Sequence, residues 1–242
     1  LNKLVKEYDP KEPGKNVLWT TDREIELPII MNKSGVASTR PETIPEMVDR
    51  SVMSYRDCKA LAQKVNGKWK YWTYKEFHRD LKCVANALIS FGLPALSSIN
   101  IIGFNHAYWF LAFYGGLYAN VIPVGVYTTN GPDACKYVAE HSKAGAIFVE
   151  NTEHLKKYLK IWDQLPEIKM IIVYNDKIDT SIIPENRRSS IITWDQLIEI
   201  GAKIVKESEN KLIDERLKAQ KPGNVCTFVY TSGTTGPPKG VM

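Results

Sequence analysis

The sequence predicts an α/β fold in which helices flank a mainly parallel sheet. After Leu81, short runs rich in Val, Ile and aromatic residues alternate with stretches of helical apolar spacing, and the connections between them are short. Near the carboxyl end, a strand-like run leads directly into a loop that is rich in glycine and hydroxyl residues and ends in a lysine. Parallel strands fit this alternation, because each of their crossover connections needs room for a helix.

The region before Leu81 is less regular. A polar amino-terminal arm precedes a short helix that we predict after Thr43. The motif Val65-Asn-Gly-Lys68 is typical of a turn, and it leads into an extended segment at residues 69–74. This region therefore contributes one predicted helix and one turn, but no predicted strand of the parallel sheet.

The same patterns divide the alternating region into strands and helices. Strands of one mainly parallel sheet are predicted at residues 99–104, 121–126, 144–150 and 169–174. Helices are predicted at residues 107–119, 132–142, 153–164 and 194–206. Residues 225–230 are predicted as a further, buried strand, because β-branched and aromatic side chains pack well on a pleated surface.

One apolar segment needs separate interpretation. No Asp, Glu, Lys or Arg occurs from Cys83 to Pro132. A membrane-spanning helix needs about 20 consecutive apolar residues, whereas Asn, His, Gly and Pro interrupt this stretch. We therefore predict a buried strand–helix–strand unit with a helix at residues 107–119 packed on the sheet. Its aromatic residues are assigned to the core, with the wall of an apolar ligand site as the alternative.

Composition and charge indicate a globular protein of the cytoplasm. Hydrophobic residues make up 44% of the chain and charged residues 24%, which is ordinary globular usage. The four cysteines are widely separated and form no C-x-x-C pair, so we expect reduced thiols. The net charge of +5 is spread along the chain, and no nucleic-acid partner is predicted. No catalytic role is assigned to the histidines, which are isolated in the sequence and predicted to be structural: His78, His106, His141 and His154.

The carboxyl-terminal loop carries the chemistry that we predict. Its glycines permit close approach of a ligand to the backbone, its hydroxyl and N–H groups can surround an anion, and its lysine adds a positive charge. A Walker A loop is excluded, because Pro238 rather than glycine precedes Lys239. An ordinary polar surface turn is the alternative. The candidate phosphate-binding residues are Thr231, Ser232, Gly233, Thr234, Thr235, Gly236, Pro237, Pro238 and Lys239.

The run Tyr230-Thr-Ser-Gly-Thr-Thr-Gly-Pro-Pro-Lys-Gly240 resembles the signature of the adenylate-forming (AMP-binding) superfamily. Upstream, the motifs Thr43-Ile-Pro-Glu-Met47, Trp72-Thr-Tyr-Lys-Glu-Phe77 and Gly125-Val-Tyr-Thr-Thr-Asn130 are similar to those of bubblegum-type long-chain acyl-CoA synthetases. The resemblance covers most of the chain. It implies the amino-terminal part of an adenylate-forming enzyme fold, truncated after the phosphate-binding loop, with residues 1–50 as an arm packed on the main domain and residues 51–242 as the incomplete amino-terminal half of the AMP-binding domain.

The resemblance also implies a reaction. ATP and a fatty acid would form an acyl-adenylate with release of pyrophosphate, and coenzyme A would then accept the acyl group. ATP, Mg²⁺ and coenzyme A are the implied cofactors and co-substrates. The magnesium ligand and the adenylation lysine of the family would lie beyond Met242, so we expect no metal site in this fragment and no activity from it alone.

Two other functions stay open at this stage. The chain could belong to an adenylate-forming ligase for another carboxylic acid, or to a non-catalytic module that binds nucleotide or lipid. Small molecules are the expected partners, and no protein partner is predicted. Peripheral contact with the endoplasmic reticulum membrane is an open alternative to a purely cytoplasmic location.

Overall fold

The computed structural model describes residues 19–208, 210–232 and 236–242. The helices in these ranges are α1 (Ile44–Tyr55), α2 (Tyr74–Ser90), α3 (Ala107–Tyr118), α4 (Pro132–Ser142), α5 (Thr152–Leu159), α6 (Trp194–Ser208) and α7 (Lys211–Lys218). The strands are β1 (Lys59–Val65), β2 (Lys68–Thr73), β3 (Ser98–Ile102), β4 (Ile122–Val126), β5 (Ala144–Val149), β6 (Met170–Val173), β7 (Ile191–Thr193), β8 (Val229–Thr231) and β9 (Lys239–Val241).

A central sheet of five parallel strands confirms the predicted fold class. Its order is β4-β3-β5-β6-β7, so the four predicted strands lie side by side and β7 extends one edge. All residues of β3 and β5 are buried, as expected of strands that are covered on both faces. The chain passes from β3 to β4 on one side and then to β5 on the other. In open α/β sheets, ligands bind at the carboxyl ends of strands where the order reverses in this way.

Helices cover both faces of the sheet. Successive strand residues point to opposite faces, so Ile101 and Phe148 join a core with α2, α3 and α6, whereas Ile102 and Ile147 join a core with α4 and α5. Two glycines let α3 lie close to its neighbours. A Cβ on Gly115 would stand 2.5 Å from Val84 Cγ1, and one on Gly116 would stand 2.8 Å from Ile99 Cδ1.

The structure confirms the helix after Thr43 as α1 and shows a second, longer helix, α2, that was not predicted. Both begin with a capping box. Thr73 Oγ1 accepts a hydrogen bond from the Glu76 backbone N–H, and Glu76 in turn accepts from the Thr73 N–H at 2.8 Å. The predicted turn at Asn66 joins β1 to β2 in an antiparallel hairpin.

The other differences lie at element ends and in short segments. The predicted helix at residues 153–164 ends at Leu159, and a separate 3-10 turn follows at Trp162–Gln164. Strand β7 was not predicted. Helix α7 lies in the lysine-rich segment at residues 211–221, whose mixed charges favour a solvated helical face. The apolar segment forms β3, α3 and β4 as expected, with α3 packed on the sheet. Among the described residues, no helix combines the length and apolar character needed to cross a membrane.

A carboxylate joins α1, α2 and α3 on one side of the sheet. Asp49 Oδ1 of α1 accepts a hydrogen bond from the Tyr118 hydroxyl of α3 at 2.5 Å and lies 2.9 Å from His78 Nε2 of α2. Burial acts to raise the pKa of Asp49, but the hydrogen bonds from His78 and Tyr118 outweigh it, so the pKa is lowered. His78 is therefore not isolated, contrary to the sequence-based interpretation.

We predict that Asp49→Asn lowers the free energy of unfolding at pH 7 by about 1 kcal/mol, because it weakens two hydrogen bonds at a partly exposed site. The folded state lowers the pKa of Asp49, so its contribution is present above the unfolded value of 3.8 and is lost as the pH falls through the folded value. Urea unfolding from pH 7 to pH 3 should show the two proteins converging. The exposed Asp57→Asn variant is the control, and an equal effect of both substitutions would contradict the prediction.

Candidate phosphate-binding site

The candidate loop lies between the strands of a small hairpin. β8 and β9 pair antiparallel, with Tyr230 opposite Gly240 and Thr231 opposite Lys239. Paired residues of neighbouring strands share one face. The hairpin therefore brings the first hydroxyl residue of the loop next to its lysine, although eight positions separate them in the sequence.

The described candidate residues are open to solvent. Exposed positions are Thr231, Ser232, Gly236, Pro237, Pro238 and Lys239. Gly236 has a φ of 80°, in the left-handed region that favours glycine. The other three candidates, Gly233, Thr234 and Thr235, lie outside the described residues.

The prediction of one buried strand at residues 225–230 was wrong. β8 begins only at Val229, whose side chain is 54% exposed, and Phe228 makes a single parallel bridge to Val124 of β4. The physical reason lies in β4, an edge strand that contains Pro123. Proline has no N–H to donate to a ladder, and the Pro123 carbonyl instead accepts a hydrogen bond from Thr227 Oγ1 at 2.7 Å.

Helix α4 packs against the hairpin through aromatic rings. His141 Nδ1 lies 2.7 Å from the Tyr230 hydroxyl, and the two rings meet edge to face with centroids 5.6 Å apart. The Tyr137 hydroxyl donates a hydrogen bond to the Pro238 carbonyl at 2.8 Å. A Cβ on Gly240 would stand 3.2 Å from Tyr230 Cζ, so glycine lets the Tyr230 ring lie over the opposite strand.

Arg23 joins the amino-terminal arm to the same region. Its Nη1 donates to the carbonyls of Ser142, at 2.8 Å, and Leu96, at 3.3 Å. Its guanidinium lies 5.1 Å from the centre of the Phe228 ring. Burial lowers the pKa of Arg23, while the Ser142 carbonyl, at the carboxyl end of α4, is a natural partner for a cation. The division into an arm and a main domain stays a prediction.

Two spaces adjoin the hairpin. The first has a volume of about 920 Å³, and its lining includes the basic groups Arg23, His141, Lys143 and Lys239. The second, of about 520 Å³, is more apolar and is lined by aromatic residues of α3 and of residues 228–230: Trp109, Phe110, Phe113, Phe228 and Tyr230. Phe228 borders both. A polar cleft and an apolar groove thus meet at the strand that leads into the loop.

The sequence-based interpretation missed Tyr137 and His141 as neighbours of the loop. It described all four histidines as isolated, yet each has a polar partner. His106 accepts from the Tyr108 N–H at 3.1 Å, and His154 Nδ1 lies 2.8 Å from Asn151 Oδ1. The sequence did contain a signal for Tyr137 and His141, because residues four positions apart share one face of a helix. Within residues 19–208, 210–232 and 236–242, no three His, Cys, Asp or Glu side chains cluster as a metal site would require.

The fold and the loop define the class of this protein. The profile of the AMP-binding enzyme family matches residues 48–242, so the chain belongs to that family. It is 38% identical over 225 residues to the long-chain-fatty-acid–CoA ligase ACSBG2 of Xenopus laevis, a match that covers 93% of this chain and 29% of the relative. The human long-chain-fatty-acid–CoA ligase ACSBG1 is 33% identical over 228 residues, a match that covers 94% of this chain and 30% of the relative. The resemblance to bubblegum-type synthetases is confirmed, and the chain spans about 30% of the length of these relatives.

Solved structures agree on the fold. The A-PCP didomain of a carboxylic acid reductase from Segniliparus rugosus, in complex with AMP, superposes with a TM-score of 0.66 at 19% identity, covering 84% of this chain and 31% of that one. A fatty acyl-adenylate ligase from L. pneumophila, in complex with acyl adenylate and pyrophosphate, gives a TM-score of 0.53 at 19% identity, with 81% and 29% covered. At these identities the likeness concerns the fold alone.

The Tyr230 hydroxyl should stay protonated well into alkaline solution. Burial, followed by the neighbouring Tyr137, raises its pKa to about 12, against an ordinary value of 10.0. The folded pKa is the higher one, so its contribution to stability is complete below pH 10 and is lost as the pH rises through 12. We predict that urea midpoints fall less steeply between pH 10 and pH 12 in Tyr230→Phe than in the unsubstituted protein. Parallel curves would show that this hydroxyl is not shielded.

Proposed function

We propose that this chain carries the ATP phosphate loop of a long-chain fatty acid–CoA ligase. The observation that carries the proposal is the juxtaposition of the hydroxyl- and lysine-bearing hairpin with an apolar aromatic groove. Membership of the AMP-binding family and the names of the relatives support the same activity. The reaction belongs to the whole protein, because the relatives are about three times as long as the matched region.

The first step would join the fatty acid to AMP. A carboxylate oxygen attacks the α-phosphorus of ATP, the bond from that phosphorus to the bridging oxygen breaks, and pyrophosphate leaves with the electron pair. Negative charge grows on the leaving group. Lys239 and the hydroxyls of Thr231 and Ser232 are exposed on the hairpin and chemically suited to offset that charge. Mg²⁺, when bound to the phosphate oxygens, would add to the same neutralisation.

The second step would transfer the acyl group. The thiol of coenzyme A loses its proton to solvent as its sulfur attacks the acyl carbonyl carbon, the bond from that carbon to the AMP oxygen breaks, and AMP leaves with the electron pair. The aromatic groove beside the hairpin suits the acyl chain, because Trp109, Phe110 and Phe113 offer apolar surface at the carboxyl end of the sheet. Tyr230 lines the groove and directly precedes Thr231, the first candidate residue of the loop, which supports a common site for the two substrates.

Product analysis tests the reaction class. The full-length protein, supplied with ATP, Mg²⁺, coenzyme A and a long-chain fatty acid, should release AMP and pyrophosphate in equal amounts and form acyl-CoA. Chromatography of the nucleotides and mass analysis of the thioester measure both products. Release of ADP, or activity confined to aromatic acids, would contradict the assignment. Binding of ATP without any turnover would favour a non-catalytic module.

Lys239→Ala should weaken adenylation far more than folding. Loss of one charged phosphate contact costs about 2–4 kcal/mol in the transition state, by analogy with an oxyanion donor, which corresponds to a fall of about 30- to 900-fold in kcat/KM. The side chain is exposed, so the melting temperature should hardly change. ATP–pyrophosphate exchange and thermal melting separate the two effects. Lys218→Ala, which removes an exposed lysine from α7, is the matched control. Unchanged exchange would refute the phosphate role.

A further inference from the structure

Helix α4 contacts both stems of the loop through separate hydrogen bonds. The incoming stem is β8 and the outgoing stem is Pro238 with β9. On the incoming stem, the Tyr230 hydroxyl lies 2.7 Å from His141 Nδ1. On the outgoing stem, the Tyr137 hydroxyl donates to the Pro238 carbonyl at 2.8 Å. The loop between these contacts contains the candidate hydroxyl and glycine residues, and Lys239 follows Pro238 directly. One helix thus holds the loop at both of its ends.

The aromatic rings of the residues that make these hydrogen bonds also pack against one another. Tyr137 stacks on His141 with centroids 5.5 Å apart and an angle of 25° between the ring planes. Tyr230 meets both edge to face, at 6.4 Å from Tyr137 and 5.6 Å from His141. Aromatic pairs of this geometry are favourable, and each ring has few rotamers to lose. The three side chains, Tyr137, His141 and Tyr230, form a cluster that we call the aromatic clamp.

The hydrogen bond to the Pro238 carbonyl is well placed to restrict the position of Lys239, the next residue. Pro237 and Pro238 have restricted φ angles, so the backbone before Lys239 has little freedom. A hydrogen bond that fixes the Pro238 carbonyl therefore also limits the direction in which the backbone continues to Lys239. On the opposite stem, Thr231 follows Tyr230 and pairs with Lys239.

We propose that Tyr137 and His141 are positioning residues of the phosphate loop, which act through Pro238 and Tyr230 to hold Lys239 in place for the terminal phosphates of ATP. This inference rests on the proposed function of the loop. Neither residue needs to touch ATP. A donor that is already held in place loses less freedom when phosphate binds, so the clamp should strengthen ATP binding without affecting the fatty acid.

Substitutions in the full-length protein test the clamp. Tyr137→Phe keeps the ring and removes only the hydrogen bond to Pro238, and it should raise the dissociation constant for MgATP about 3- to 10-fold. His141→Leu should have an effect of similar size. His141→Gln keeps a polar group for Tyr230 and should restore part of the affinity. The KM for fatty acid and the melting temperature should stay unchanged. Titration calorimetry with MgATP and with inorganic pyrophosphate gives the affinities, and pyrophosphate exchange gives the KM values.

Tyr55→Phe is the matched control, because it removes a phenolic hydroxyl from an exposed residue of α1. A purely structural role would lower the melting temperature and change the constants for ATP and fatty acid together, and that outcome would overturn the proposal. Equal affinities of Tyr137→Phe and Tyr55→Phe would overturn it as well. An unsubstituted protein that binds ATP but does not use fatty acid would refute the proposed substrate and leave the clamp measurable through ATP affinity. No ATP binding at all would refute both.

Discussion

The position of the proposed phosphate loop depends on the packing of one side chain, Tyr230, against helix α4. The strands that carry the loop form a two-stranded sheet of their own, and in the described part of the chain only the bridge between Val124 and Phe228 pairs this segment with the central sheet. A two-stranded hairpin is marginal by itself in water. Tertiary contacts must therefore decide where the hairpin lies, and Tyr230 makes them with both Tyr137 and His141.

Helix α4 can serve as that support because its own carboxyl end is held from two sides. Asn100, in the middle of β3, donates from Nδ2 to Ser142 Oγ at 3.0 Å, and both residues are fully buried. Arg23 donates to the Ser142 carbonyl from the amino-terminal arm. Hydrogen bonds in a low-dielectric interior are costly to break without replacement. Direct contacts thus run from the centre of the sheet through Ser142 to the neighbouring His141 and on to the loop stem.

The sequence was most informative where local pattern and tertiary environment agree. β3 to β6 were predictable because strands covered on both faces are continuous apolar runs, and α4 because Pro132 marks its start. Helix α2 was missed although Thr73 and Glu76 carry a capping-box pattern. β7 has only three residues, too few for a periodic signal. The buried strand expected before the loop failed because a neighbouring proline in β4 limits ladder pairing.

The candidate site likewise contains residues that could be predicted from the sequence and residues that could not. The phosphate-loop residues could be proposed from composition and order alone, because glycine, hydroxyl residues and lysine have intrinsic chemistry for anions. The clamp could not, since His141 and Tyr230 are 89 positions apart and Tyr137 and Pro238 are 101 apart. Only the packing of α4 against the hairpin brings these residues together. Their spacing of four within the helix shows a shared face but not the partner of that face.

Hydrogen–deuterium exchange of the full-length protein, with and without inorganic pyrophosphate, tests most directly whether the hairpin held by α4 is the phosphate site. The account predicts that pyrophosphate slows amide exchange in β8, β9 and the loop between them, and that Tyr137→Phe reduces this protection at the same pyrophosphate concentration. Protection confined to segments away from residues 229–241, or equal protection in Tyr137→Phe and the unsubstituted protein, would contradict it.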